Sequence, residues 1–220
     1  MHQIVFDMEN IEKLNHYDGA EVIERFNIEK QSECTILDTW LDASGTLTVG
    51  QQEILNEAQA DMKLVGRDWN EEELKMNFVA LVFFVAKLNV PKKIRIFYER
   101  RLNGEVEGIS ISVKVDGMLA TPTNANRPKS PYFFLQEFKR SLGDDHDPEG
   151  QMLAAMILAQ ELNKDGQPLY GCWLQGKNWN FTTLSGKDYC VSKQFDATDM
   201  VDLEQIVFIL RKLKDTILNR

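Results

Sequence analysis

Apolar positions recur along this chain in two rhythms, and the change from one to the other divides it. Up to residue 68 the spacing is three or four, as in Cys34, Leu37 and Leu41, and it predicts helices over residues 20–26, 32–41 and 51–63. The stretch ASGTLTVG between the last two is a loop with turn residues at both ends. Asn70 then opens a longer helix: Glu73 completes a capping-box pattern with it, and Trp69 is placed to staple onto Leu74. Leu74, Phe78, Leu81, Val82 and Val85 form the buried stripe of that helix, and Glu71 lies one turn before Leu74 on the same face.

After Pro91 the rhythm becomes two. Residues 93–100 alternate Ile94, Ile96 and Tyr98 against Lys93, Arg95 and Phe97, and Asn103-Gly104 predicts a hairpin turn. The partner strand, residues 106–115, would deliver Asp116 at its C-terminal end. Residues 121–131 hold three prolines among Asn and Ser and predict a flexible surface connection. An apolar strand follows, Tyr132 to Phe138. Asp147 caps a helix over 148–163 with Pro148 at its first position, burying Met152, Ala155, Met156 and Ala159. A fourth strand over 169–175 and a hairpin of 179–184 with 189–192 come next. A final helix over 200–218, capped by Asp199, carries Leu203, Ile206, Leu210, Leu213 and Ile217, a stripe that packs on its own domain or offers a homodimer seam. Trp173, Trp179, Phe181 and Tyr189 read as core or cross-strand aromatics, with base stacking as the other use of such rings.

The whole is an α/β (α+β) chain. Its 220 residues suffice for one ample core, so residues 1–68 are expected to form a helical N-terminal extension capping a 69–220 domain as one unit. A hydrophobic share of 43% with 27% charged residues is ordinary for a globular protein. The net charge of -9 runs against the usual nucleic-acid binder, whose affinity comes from lysine and arginine neutralising phosphates. Yet Lys92, Lys93, Arg95, Arg100 and Arg101 cluster around one predicted strand, and Arg127, Lys129 and Arg140 flank another. Cys34, Cys172 and Cys190 are widely spaced and odd in number, which suggests a reducing cytoplasm with each a small buried hydrophobe. The N-terminus lacks the basic region of a secretory signal, and the longest apolar run, residues 78–86, is too short to cross a membrane. His2, His16 and His146 are too scattered for a histidine metal cluster.

Candidate chemistry centres on residues 113–139. Side chains at i and i+2 of a strand share a face, so Glu137 and Lys139 point the same way while Phe138 points into the opposite layer. Charges ending an apolar strand must be solvated, paired or metal-bound. Two carboxylates from neighbouring strands, Asp116 and Glu137, suit a hard divalent cation such as magnesium or manganese. Asp144 and Asp145, in an acidic loop, are alternative ligands, although a loop fixes ligands less well than a strand.

An Asp, a spacer of this length and Glu-x-Lys after an apolar strand resembles the PD-(D/E)XK nuclease superfamily. The first motif is degenerate, with Val115-Asp116 in place of Pro-Asp; the second, Glu137-Phe138-Lys139, is intact. The resemblance covers about residues 69–176. It implies a restriction-endonuclease-like core that runs helix, three-strand antiparallel meander, helix, strand, to which the final helix is added. It also implies that Asp116, Glu137 and the backbone carbonyl of Phe138 hold the metal and that Lys139 serves the attacking water. Glu71 and Gln151 stand at the places of an accessory helix Glu and Gln. The expected activity is metal-dependent phosphodiester hydrolysis of nucleic acid, DNA before RNA. The alternative is a nuclease-like module that binds a protein or nucleic acid without cutting.

Overall fold

The computed structural model describes residues 12–14, 17–141 and 147–220. In chain order these form β1 (Glu12–Lys13), α1 (Gly19–Arg25), β2 (Glu29–Lys30), α2 (Thr35–Leu41) and α3 (Val49–Val65). The predicted long helix is α4 (Glu71–Leu74), a π-helical turn (Lys75–Val79) and α5 (Ala80–Ala86). Then come β3 (Arg95–Val106), β4 (Ile109–Pro122), β5 (Pro128–Lys139), α6 (Pro148–Asn163), β6 (Leu169–Gln175), β7 (Asn178–Ser185), β8 (Asp188–Val191), β9 (Phe195–Asp196) and α7 (Met200–Leu218).

The nine described strands make one mixed sheet within an α/β architecture. β3, β4 and β5 form an antiparallel meander; β6 lies parallel to β5 after the crossover through α6; β7 and β8 continue antiparallel. The central strands are buried on both sides, so each needs a helical layer. On one side α1 and α6 cover Val113, Met118, Leu135 and Trp173. On the other, α2, α3, α5 and α7 cover Leu119, Phe134, Phe138 and Leu174. Trp40 keys the second layer: its ring meets Phe134, Tyr170 and Phe181 edge-on, and its indole N–H donates to the Ile209 carbonyl at 2.9 Å.

The predicted helices and caps recur within a few residues, including both reciprocal bonds of the Asn70–Glu73 capping box. The hairpin turn does not. Asn103 and Gly104 sit inside the ladder, opposite Ser112 and Ile111, and the chain reverses at Glu107-Gly108, both at positive φ (52° and 81°). Gly104 serves packing instead, because a Cβ there would come within 2.7 Å of Leu158 on α6. Residues 121–131 are also more ordered than predicted, with Thr121 paired to Lys129 and Pro122 to Pro128. The first 68 residues add two short parallel strands that periodicity over two residues cannot announce, β1 on β4 and β2 on β8. Leu203, Ile206, Leu210, Leu213 and Ile217 are all buried in the chain's own core, so the apolar stripe of α7 is not a dimer seam. Trp173, Trp179, Phe181 and Tyr189 are likewise core and have no face to offer a base.

Against the expectation from their wide spacing, two of the three cysteines are bonded to each other. Cys34, at the start of α2, is disulfide-bonded to Cys190 on β8, and only Cys172 is a free buried thiol. Sequence spacing hid the pair because 156 residues separate it. A cross-link closing so long a loop restricts the unfolded chain strongly, by up to about 5 kcal/mol in the chain-entropy account. We expect denatured, unreduced protein to titrate one thiol and reduced protein three. Cys34→Ser is expected to lower stability by a few kcal/mol in urea; an unchanged midpoint would show that the bond restrains nothing.

Candidate functional site

Two neighbouring strands lose their alternation at one level of the sheet. On β4, Val113 and Val115 face the α6 layer, and so do Met118 and Ala120, an odd step from Val115. On β3, Phe97 and Leu102 face that same layer, again an odd step apart. The change of phase falls between Tyr98↔Gly117 and Arg100↔Val115, where Glu99 and Asp116 are not ladder partners. Glu99 takes a left-handed φ of 54°, an uncommon state for a residue with a side chain. The β4–β5 ladder also begins only at Gly117↔Gln136. Asp116 thus lies mid-strand rather than at a strand end, beside a gap in the ladders. Irregularities of this kind re-aim side chains next to functional sites.

The side chain of Asp116 fills that gap. Its Oδ2 accepts the Phe138 N–H at 2.8 Å, joining β4 to β5 where backbone pairing stops. Asp116 is 6% exposed, Glu137 2% and Lys139 7%, so all three charges are held inside the protein. Lys139 Nζ donates to Glu137 Oε1 at 2.5 Å, as the i, i+2 geometry requires. Burial raises the Asp116 carboxyl above its ordinary range, although the Phe138 N–H and Lys75 pull the other way. Burial first, and then the Asp116 charge, push Glu137 up to about 8 against the pull of Lys139. Lys139 stays protonated beyond the usual lysine range because Glu137, Asp116 and Glu71 outweigh its desolvation.

The structure therefore brings Asp116, Glu137 and Lys139 together, and Glu71 is close enough to bear on the titration of all three. Phe138 turns its ring to the other layer, 6.3 Å from Phe83. Gln151 lies in the first turn of α6; among the described residues its buried Oε1 has no hydrogen-bond partner, and no bond ties it to Lys139. Asp144, Asp145 and the three histidines lie outside the described residues.

Sequence reasoning missed three members. Lys75, at the start of the π-helical turn, is largely buried with its Nζ 3.1 Å from Glu71, 3.3 Å from Glu72, 2.5 Å from Glu99 and 3.3 Å from Asp116. Desolvation opposes that ammonium, but Glu99, Asp116 and Glu71 hold it protonated above the usual lysine range. Glu99 also pairs with Lys114. In the sequence EEELK, Lys75 reads as an ordinary surface partner at i+3 and i+4, and only the extra residue of a π turn, a frequent companion of functional sites, sets it apart. Gln136, fully buried, has no partner for either amide atom among the described residues. Gly117 makes room for it, since a Cβ would lie 2.3 Å from Gln136 Oε1.

Among the described residues no group of three or more His, Cys, Asp or Glu is arranged to hold a metal ion. Two carboxylates are nevertheless a fitting donor set for magnesium, which keeps several waters and takes one or two protein carboxylates. Glu137 fits in a second respect: burial and Asp116 make it a reluctant anion, which a cation would relieve. No family model and no curated protein matches this chain. No described helix is long and apolar enough to cross a membrane.

Two measurements test the electrostatics. A carboxyl raised in the folded state lends stability that is fully present below its unfolded value, near 4.5, and is lost as pH rises through about 8. Wild-type stability minus that of Glu137→Gln should therefore fall, by an order of a few kcal/mol, between about pH 5 and about pH 8 in urea titrations. A difference independent of pH would mean that Glu137 titrates like a free glutamate. Lys75→Met removes the cation common to four carboxylates and should cost about 3 kcal/mol; a cost below about 0.5 kcal/mol would show a solvated surface pair.

Proposed function

We propose that the chain is a metal-dependent phosphodiesterase of the PD-(D/E)XK kind, acting on nucleic acid, with DNA as the first expectation. One observation carries this reading: Asp116, Glu137 and Lys139, spread over 24 residues of sequence on two strands, share one buried cluster where the β4–β5 ladder opens. The order of helix, antiparallel meander, helix and parallel strand, α5 to β6, supports a restriction-endonuclease-like core.

In this reading Asp116 and Glu137 hold a magnesium or manganese ion with the Phe138 carbonyl. When bound, such an ion polarises a phosphoryl oxygen and acidifies a coordinated water. Lys139, a donor without acceptor capacity, orients the attacking water and offsets charge building on the phosphate. The Phe138 N–H keeps Asp116 at a fixed angle, so the carboxylate needs no reordering when the substrate arrives. Glu71 tunes the charge of the cluster, and Gln151 offers an amide at the start of α6.

A second reading, a nuclease-like binding module without chemistry, is favoured by Lys75. Its ammonium lies 3.3 Å from Asp116 Oδ1 and neutralises the acids internally. The two readings part on metal. An active site is expected to bind magnesium and raise the melting temperature, whereas a Lys75-filled module gains nothing.

The decisive assay is cleavage of DNA by purified protein with magnesium or manganese. Asp116→Ala should abolish it, and Lys139→Ala should slow it by at least about a hundredfold. A Lys139→Ala protein that still cuts at the wild-type rate would remove the support for this mechanism.

A further inference from the structure

A surface cleft begins beside the site and runs along the outer strand of the sheet. Its first part, about 470 Å³, lies between α5 and β3 and is lined by Phe84, Tyr98, Arg95 and Arg100. A second part, about 530 Å³, lies between the 89–95 loop and the β4–β5 turn, and includes Lys92. The two share Asn89, Arg95 and Asn126, so they are continuous. The near end is fixed by connectivity. Tyr98 precedes Glu99 and lies opposite Gly117, the neighbour of Asp116, and α5 follows directly from the π turn that begins with Lys75.

Two features of the cleft are unusual together. Phe84 is 68% exposed and Tyr98 40%, although most large apolar side chains of this chain are buried. A lone exposed aromatic calls for no explanation, but two lining one cleft form a platform. Around them Lys92, Arg95 and Arg100 are exposed, and no ion pair or hydrogen bond of their side chains occurs among the described residues. That contrasts with Lys30, Lys75, Lys177 and Lys187, each of which is paired to a carboxylate. In a chain of net charge -9, unpaired cations concentrated at one cleft are a local field of opposite sign.

We infer that this cleft binds a single strand of nucleic acid, with Phe84 and Tyr98 stacking on bases and Lys92, Arg95 and Arg100 taking phosphates. Exposed rings need bare base faces, which a duplex hides within its own stack, so the occupant is single-stranded. The strand runs from the β4–β5 turn past Tyr98 and presents its backbone at the level of Asp116. This direction of travel rests on the nuclease reading; the binding itself does not.

The test is fluorescence anisotropy of a labelled twenty-nucleotide oligothymidine and of a duplex of equal length, with the full chain in EDTA. Without divalent ions nothing is cut, so failure to bind and failure to cleave are read separately. Wild type should bind the single strand more tightly than the duplex. Phe84→Ala should weaken that binding roughly tenfold. Arg95→Gln and Arg100→Gln should each reduce the salt dependence by about 0.7. Lys164→Gln, whose ammonium is paired to Glu161 at the far end of α6, should change neither. Equal or tighter duplex binding, or a Phe84→Ala protein that binds as wild type does, overturns the inference. All these side chains are solvent-facing, and an unchanged melting temperature confirms that each variant is folded.

Discussion

The structure turns on a carboxylate that stands in for a peptide group. Strands β4 and β5 pair up to Gly117 and Gln136 and then part, and the next N–H on offer, that of Phe138, is taken by the Asp116 side chain. A buried amide left alone costs of the order of 1–3 kcal/mol, so the bond has a structural reason independent of any chemistry. Its by-product is a negative charge deep between two strands, and much of the surrounding arrangement answers that charge. Lys75 approaches from the helix layer and Lys139 from the next strand. A local economy of backbone hydrogen bonding thereby generates a charged centre in an otherwise apolar sheet.

Two cations and five acids meet there, and the balance among them is uneven. Lys75 is shared by Glu71, Glu72, Glu99 and Asp116, while Lys139 serves Glu137 at close range. The second carboxylate therefore carries much of the electrostatic strain, seen in its reluctance to ionise. Strained ionisation of this sort is common where proteins do chemistry, though structural networks produce it too.

Much of the architecture was legible because local signals agreed with one another. Caps at Asn70, Asp147 and Asp199 sit in front of apolar stripes of helical period, and each helix starts where its cap says. Glu137 and Lys139 were legible as a pair because a strand's period of two leaves no other choice. What stayed hidden depends on contacts remote in sequence. Asn103-Gly104 has turn chemistry, but Leu158 claims the glycine for close packing. Lys75 looks solvated until β3 and β4 are laid against its helix. The Cys34–Cys190 bond joins two segments that no periodicity relates.

The N-terminal segment is woven into the sheet rather than laid over it. β1 extends along β4 on the stretch that β5 has left, the Tyr17 hydroxyl donates to the Ser112 carbonyl at 2.6 Å, and β2 borders β8 at the far side. Asp147 caps α6 and at the same time accepts the Gly19 N–H at 2.7 Å, so one side chain anchors two helices. A protein stitched together in this way has no seam along which to come apart in stages. Its melting is expected to be one cooperative event, and trimming its front would dismantle the core itself.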